Sequence, residues 1–476
     1  MRNIHVEIDY IDSPSNSTRI FSIYPDTTSE GRLIGELIFS ASVRTWVQKD
    51  RSQSSLSRIT LANADGSLDA FVDETHLDCR IKEVIDGTST TLATGKVDRV
   101  TFDGERNIII ELKDAKKLLD VQLQGNEFPA SETSLSDGVT TNTYYALENV
   151  QRPICLGYCV SIPPVLGNRS INEYFVHDDQ FFEIVDVYDN GVSVTHNDYV
   201  SSFTLNADPA GRIVADVKGE ENSGGTDFLE TPREIVDYIF SKISFTDYST
   251  DDLDDLDPKD SADGVTTYTP LLCYYQTNDT ALNVNEILQW MCDSWEGWYY
   301  VDALGDIRFG YLKEPDNYTA DHEITENEII DKIHVFDDLA PNLTKKVGSQ
   351  RNWFVYNQDD IAAGATAQNK IDLSQKFRKI SESTQSIDSF YTVNSTTHDS
   401  LLRNGARADE ESDNIAYLYS VRRKFYTFDC KTNIGIGEIA NLTFNRFGLE
   451  SGKKLQCVGY SIDFMKVNNY RVTLWG

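Results

Sequence analysis

KVDRVTFDGERNIIIEL, residues 96–112, carries two alternating apolar and polar runs on either side of Asp103-Gly104. Alternation with period two puts one set of side chains on each face of a strand, and an Asp-Gly pair supplies the positive-φ residue that reverses the chain, so the stretch predicts a β-hairpin. The same grammar extends upstream. IHVEIDY (4–10), IFSIY (20–24), ELIFSASVRTWVQ (36–48), SRITL (57–61) and RIKEVI (80–85) read as strands, with turn pairs at Asp65-Gly66 and Asp86-Gly87. Residues 1 to about 112 therefore read as an antiparallel barrel or sandwich. KDAKKLLDVQL (113–123) changes period: Leu119 and Leu123 stand four apart behind Asp114, a candidate N-cap, predicting a short closing helix.

Beyond a polar stretch at 130–143, strand text returns in 151–167, 172–176, 180–188, 200–205 and 212–217, with a turn at Asp189-Asn190-Gly191. Pro163-Pro164 fixes an extended segment that cannot be a central strand. A helix over 232–243 is the sharpest local prediction. Thr231 is the N-cap, Pro232 suits the first turn, Glu234 completes a capping box, and Ile235, Ile239 and Ile243 line one stripe beside Val236 and Phe240. Val284, Ile287, Leu288, Met291 and Trp295 give a second helix an apolar face over 282–295, before the strand–turn–strand GWYYVDALGDIRFGYL (297–312). NWFVY (352–356) reads as a strand, 401–417 as a helix, and 418–430, 438–444, 454–463 and 469–474 as a closing β section. The expected units are 1–125, a tube-like β-barrel; 150–220, β-rich; 221–325, α+β with the capped helix and an acidic loop; and 326–476, a second barrel-like unit. The fold class is α+β, β-dominated and multidomain, with antiparallel barrels and smaller α/β inserts.

At 476 residues with 40% hydrophobic side chains, the chain is too long for one core and too apolar for general disorder. Its net charge of −33 repels phosphates, which disfavours a grip on nucleic acid. An acidic surface suits a wall past which DNA slides without sticking; it equally suits solubility. The N-terminus MRNIHVEIDY has no basic start followed by an apolar run, and no window reaches the roughly 18–20 apolar residues of a membrane span, so a soluble product made in a cytoplasm is expected.

No motif of known chemistry is present. A phosphate-binding G-x-x-x-x-G-K-[ST], G-x-S-x-G and H-E-x-x-H are all missing, and Gly435 and Gly437 form only a short turn. The seven cysteines are odd in number and scattered; Cys155 and Cys159 form one C-x3-C pair without the second pair a zinc site needs, which favours buried thiols over metal. Cys155 or Cys159 with His177 makes a weak nucleophile–base pair. Residues 248–264 hold seven Asp; calcium is one reading, but the spacing is not that of an EF-hand loop, and a solvated acidic loop is the simpler one. Trp295, Trp298 and Tyr299, with Trp290 and Tyr300, offer sugar-stacking rings or a helix core with its following strand. No catalytic residue, cofactor or metal ligand is assigned.

Four stretches, in order along nearly the whole chain, resemble the tail-tip and baseplate hub proteins of tailed bacteriophages and gene-transfer agents. They are TGKVDRVTFDGERNIIIELKDAKKLLDVQLQ (94–124), RPICLGYCVSIPPVLGNRSINEYFVHDDQFFEIVDVYDNGVSV (152–194), LNADPAGRIVADVKGE (205–220) and GEIANLTFNRFGLESGKKLQCVGYSIDFMKVNNYRVTLWG (437–476). The acidic loop and 360–400 match least. The resemblance implies a non-enzymatic homotrimer at the virion tail tip, whose barrels form a pseudo-sixfold ring between the tail tube, distal tail protein and tape-measure protein on one side and a central fibre or spike on the other, with DNA only in transit. It gives Pro163, Pro164, Asp208, Gly211, Arg446, Gly448 and Gly452 architectural roles, with Arg446 paired to an acidic neighbour. A tail-associated peptidoglycan or polysaccharide hydrolase and a carbohydrate-binding module are the alternatives.

Overall fold

The computed structural model describes residues 2–12, 15–45, 52–113, 115–123, 125–129, 131–133, 141–143, 147–261, 264, 266–337, 344–384 and 397–476. The chain is β-dominated, with short helices set between several sheets. The hairpin around Asp103-Gly104 forms between Thr88–Asp103 and Asn107–Leu112, with Gly104 at φ 69°. A register shift between Glu111 and Leu112 inserts one extra residue opposite them, so Val97 and Val100 both point inward although three apart. At the next turn Asp86 and Gly87 both take positive φ, the geometry that suits a two-residue hairpin loop.

These strands belong to an eight-stranded sheet in the order Glu30–Gly31, Ser15–Ser22, Arg2–Asp12, Thr75–Ile85, Thr88–Asp103, Asn107–Leu112, Ile59–Ala62, Leu33–Ile34. Its two outermost strands are separated in the chain by Arg32 alone, so the sheet comes round on itself as a barrel. Arg32 stitches the seam: its Nη1 donates to the Ala62 carbonyl at 3.0 Å, while its other nitrogens hold Glu30 and Asp65. Ile4, Val6 and Ile8 fill the interior, and Arg80 on the outer face holds Asp9 with two 2.8 Å bonds.

Between the strands Leu33–Ile34 and Ile59–Ala62 the chain leaves the barrel as an arm, Ile38–Ser42 paired with Gln53–Leu56. The arm is a part of the last sheet: Ile38–Ser42 runs antiparallel to the far half of Lys453–Asp463, from Asp463↔Ile38 to Gly459↔Ser42. The rest of that sheet is His322–Ile324, Ile439–Leu442, Tyr470–Trp475, Lys424–Cys430 and His334–Asp337.

The middle of the chain builds a five-stranded sheet on Ile154–Ile162 and a four-stranded sheet on Glu173–Phe175. Ile154–Ile162 bends at Gly157 (φ 71°), where a Cβ would lie 2.0 Å from the Leu272 carbonyl; its first half pairs with Cys273–Gln276 and its second with Ile213–Glu220. Pro163-Pro164 follow at its end, outside the ladder. The helix Pro232–Lys242 has the expected Thr231/Glu234 capping box and buries Ile235, Val236, Ile239 and Phe240. Val284–Asp293 is capped in the same way by Asn283 and Glu286. One buried cluster runs from Ile4 through both helices to Trp475.

Three expectations need correction. Over 113–123 the structure has only a 3-10 turn, Ala115–Leu119; Leu119 and Leu123 are buried, but Gln122 bridges to Asn283 and the chain is drawn out of the helix, while Asp114 lies outside the described residues. NWFVY is not a strand: only Asn352 bridges, to Val160, as Trp353 and Phe354 turn onto the middle sheet. The acidic segment is solvated at Asp251, Asp254 and Asp255, as expected, but it is also tied down rather than a free loop. Ser249 caps the short helix Thr250–Asp254, Asp252 takes two bonds from Arg308 at 2.7 and 2.8 Å, and Asp254 meets Arg233. Asp252 and Asp254 are thus held by two separate cations.

Candidate functional site

Two of the resemblance-bearing segments, 152–194 and 205–220, meet in the middle sheets. The Asp189-Asn190-Gly191 turn, with Asn190 and Gly191 at positive φ, catches the 208–212 loop: Asp189 accepts from Ala210 N–H and Gly211 N–H, and Asn190 from Arg212 N–H. A Cβ on Gly211 would stand 1.8 Å from the Asn190 amide, so that position admits only glycine without rearrangement. Asp208 accepts from Asn172 at 3.0 Å, and the Pro163 carbonyl accepts from the Tyr275 hydroxyl at 2.8 Å. Each of these is a contact within the fold.

His177, Asp178 and Glu220 bring three ligand-type atoms within 4.8 Å of one another, the one such group among the described residues. His177 and Asp178 are buried at the end of the strand Glu173–Phe175, and Glu220 closes the strand Ile213–Glu220. The imidazole is fixed from both sides. Nδ1 accepts from the Cys155 backbone N–H at 3.0 Å, so the ring proton resides on Nε2, which faces Glu220 at 2.5 Å and Asp178 at 3.4 Å. A metal at Nε2 needs the lone pair there and the proton on Nδ1, where the Cys155 N–H already points. Asp178 is further held by Lys242 at 2.8 Å and by the Asn126 N–H at 3.2 Å. The donor set fits a hydrogen-bonded ion knot and does not fit a metal centre. Glu220 and Lys242 escape a reading of the sequence; their one local signal is that Tyr238 and Lys242, four apart on one helix face, both reach Asp178.

Trp295, Trp298 and Tyr299 are at most 2% exposed, which corrects the sugar-stacking reading: a stacking platform needs a free ring face, and these rings are core. All seven cysteines are buried and unpaired, and burial holds Cys159 well above the usual thiol range, the opposite of an activated nucleophile. A cleft of about 570 Å³ beside the arm is lined by hydroxyls, among them Ser40, Ser42, Ser55, Ser461 and Thr473. Among the described residues its lining contains no His, Cys, Asp or Glu, and the one amine there, Lys116, is taken up by the Ser52 carbonyl and lies 4.6 Å over the Tyr299 ring.

In the C-terminal motif, Gly448 and Gly452 take φ of 78° and 81° and make the turn expected of them. Leu449 anchors that turn in the core, leaving Arg446 and Phe447 outside. Arg446 has no ion pair among the described residues; its guanidinium lies 5.0 Å over the Phe447 ring, correcting the expected acidic partner. Trp475 is fully buried beneath Arg423, which also chelates Glu314 inside the protein.

No family model matches the chain, and no curated protein matches it. Among solved structures it is similar to a prophage tail protein from Listeria monocytogenes EGD-e, with TM-score 0.44 and 8% identity over 99% of this chain and 94% of that one. It is also similar to a tail protein of prophage MuSo2 from Shewanella oneidensis, with TM-score 0.40 and 8% identity over 100% and 96%. A chain in the virion of a native gene transfer agent particle matches with TM-score 0.44 and 9% identity, over 76% of this chain and 90% of that one. These structure neighbours are tail and virion components.

Proposed function

We propose that the chain is the structural hub of a phage tail tip: a homotrimeric ring joining the tail tube, distal tail protein and tape-measure protein to a central fibre or spike, and lining the channel through which DNA leaves. In this reading 1–125 and 326–476 are the two ring-forming barrel units, 150–220 and 221–325 are inserts, and the protein has no catalytic role. The observation that carries it is the arm. The strands Ile38–Ser42 and Gln53–Leu56 leave the first barrel and join the last sheet, so one chain supplies two β units locked side by side, as a ring of three chains with pseudo-sixfold symmetry requires. The four ordered sequence motifs support the same reading, and the net charge of −33 supports a channel wall that does not hold DNA.

Solution mass measurement with low-resolution imaging tests this directly. A trimer with a central opening is expected; a stable dimer would overturn it. Zymography on purified protein against peptidoglycan should show no clearing, and a cleared band would replace the hub with a hydrolase.

A further inference from the structure

Where the helix Val284–Asp293 gives way to the strand Gly297–Val301, the chain turns through Glu296 at φ 52°. Its side chain is completely buried, and neither carboxylate oxygen has a well-formed hydrogen bond among the described residues. Four other segments face it. They bring the Thr45 hydroxyl just beyond the strand Ile38–Ser42, Lys259 of the strand Lys259–Asp260, Lys345 of the strand Thr344–Arg351, and Glu411 of the helix Gly405–Leu418.

The nearby cations are already engaged. Lys259 donates to Glu411 at 2.9 Å and to the Trp295 carbonyl at 2.5 Å, and the Tyr268 hydroxyl donates to the same Glu411 oxygen. The Lys345 ammonium lies 5.2 Å over the Tyr419 ring. An ionised Glu296 would be a second carboxylate in a dry space where Lys259 is already held by the first, an arrangement that low dielectric penalises heavily.

We propose that Glu296 is a proton-held latch: its carboxyl is protonated in the closed protein, and its ionisation loosens the junction of the first barrel's arm, the Lys259 segment, the Thr344–Arg351 strand and the helix Gly405–Leu418. Burial, with the Glu411 charge adding to it, raises the group to about 8, against the opposing pull of the Thr45 hydroxyl and the two lysines. Opened to water, it returns to the ordinary value of 4.5. The folded value lies above the open one, so the closed junction has its full stability below about pH 4.5 and loses it progressively as pH rises to about 8.

The test is thermal unfolding of the full chain and of E296Q, which keeps the shape and cannot ionise, from pH 5 to pH 9. The expected result is a melting-temperature advantage of E296Q that grows with pH and levels off above about pH 8. An E296Q–wild-type difference that is constant with pH would overturn the latch. Hydrogen exchange of the wild type tests the same idea independently if the variant fails to fold. After correction for intrinsic exchange, protection in 294–298 and 405–418 should fall about tenfold per pH unit between about pH 5 and 8. Protection unchanged over that range would also overturn it.

Discussion

Two of the buried ionic groups among the described residues, the knots around His177 and around Lys259, are solved differently. Around His177 every strong group has a counterpart. The imidazole sits between a backbone N–H and two carboxylates, and Asp178 takes Lys242 and a second backbone N–H. Around Lys259 the pairing stops short: Glu411 is matched by Lys259 and Tyr268, but Glu296 has no charged partner of its own beyond the pull of the Thr45 hydroxyl and two engaged lysines, and the second oxygen of Glu411 has no well-formed hydrogen bond among the described residues. The first knot ties the two neighbouring middle sheets to one helix. The second draws on segments from across the chain, including the stretch just beyond the strand Ile38–Ser42. The difference teaches that balanced charge holds local architecture here, whereas the place where remote segments converge keeps one group that water would rather have.

The largest effect should come from breaking the second knot at its cation. Lys259→Met removes the one ammonium that bonds Glu411 among the described residues and leaves that carboxylate buried, which costs about 3–5 kcal/mol in urea denaturation. Adding Glu411→Gln to Lys259→Met should restore most of the loss, because no charge is then stranded. A double variant as unstable as the single would show that packing of the lysine stem, and not charge balance, holds the junction.

The first knot should be harder to break. His177→Phe fills the space but strands the Cys155 N–H, while Asp178 keeps Lys242 and Glu220 remains partly open to water. The expected loss is about 1–3 kcal/mol, read by the same denaturation. A loss as large as that of Lys259→Met would erase the contrast between the knots.

How much of this is legible in the sequence follows from the distance along the chain that each feature spans. The Thr231–Pro232–Glu234 cap and the Asp86-Gly87 and Asp103-Gly104 turns are readable because the hydrogen bonds that decide them close within a few residues. The closing β section is readable as strands from its alternation, although its pairings, such as Phe425 with Trp475, reach far along the chain. The arm reads as a strand, but not as a strand of the last sheet, since nothing near Ile38–Ser42 announces a partner at 459–463. The seam at Arg32 is invisible until Leu33–Ile34 meets Ile59–Ala62. The rings at 295–299 read more readily as helix core and following strand than as a stacking platform, and their burial agrees, although apolar content alone says nothing of which face is covered. His177 and Asp178 are neighbours in sequence, but the partners that define their chemistry come from a strand end at Glu220 and a helix end at Lys242.

A smaller effect is expected at the acidic segment, where Asp252 meets Arg308. The pair is bidentate, yet the Arg308 side chain is 40% exposed, so solvent screening limits what it contributes. Asp252→Asn should cost about 1 kcal/mol or less, and most of that should vanish in high salt. If the loss were instead large and insensitive to salt, the segment would belong with the buried knots rather than the surface.

The smallest expected effect is none at all, and it bears most directly on the comparison. If the His177 group is an ion knot, adding zinc or manganese ions should leave the melting temperature of the full chain where it was. The Cys155 N–H holds the ring proton on Nε2, and Lys242 already supplies the positive charge that a metal would bring to Asp178. A metal would have to displace that proton, turn the ring against a backbone donor and compete with an ammonium 2.8 Å away. Stabilisation by either ion that persists in wild type and disappears in His177→Phe would turn the knot into a metal site. Stabilisation retained in that variant would place the ion elsewhere and leave the contrast between the two knots intact.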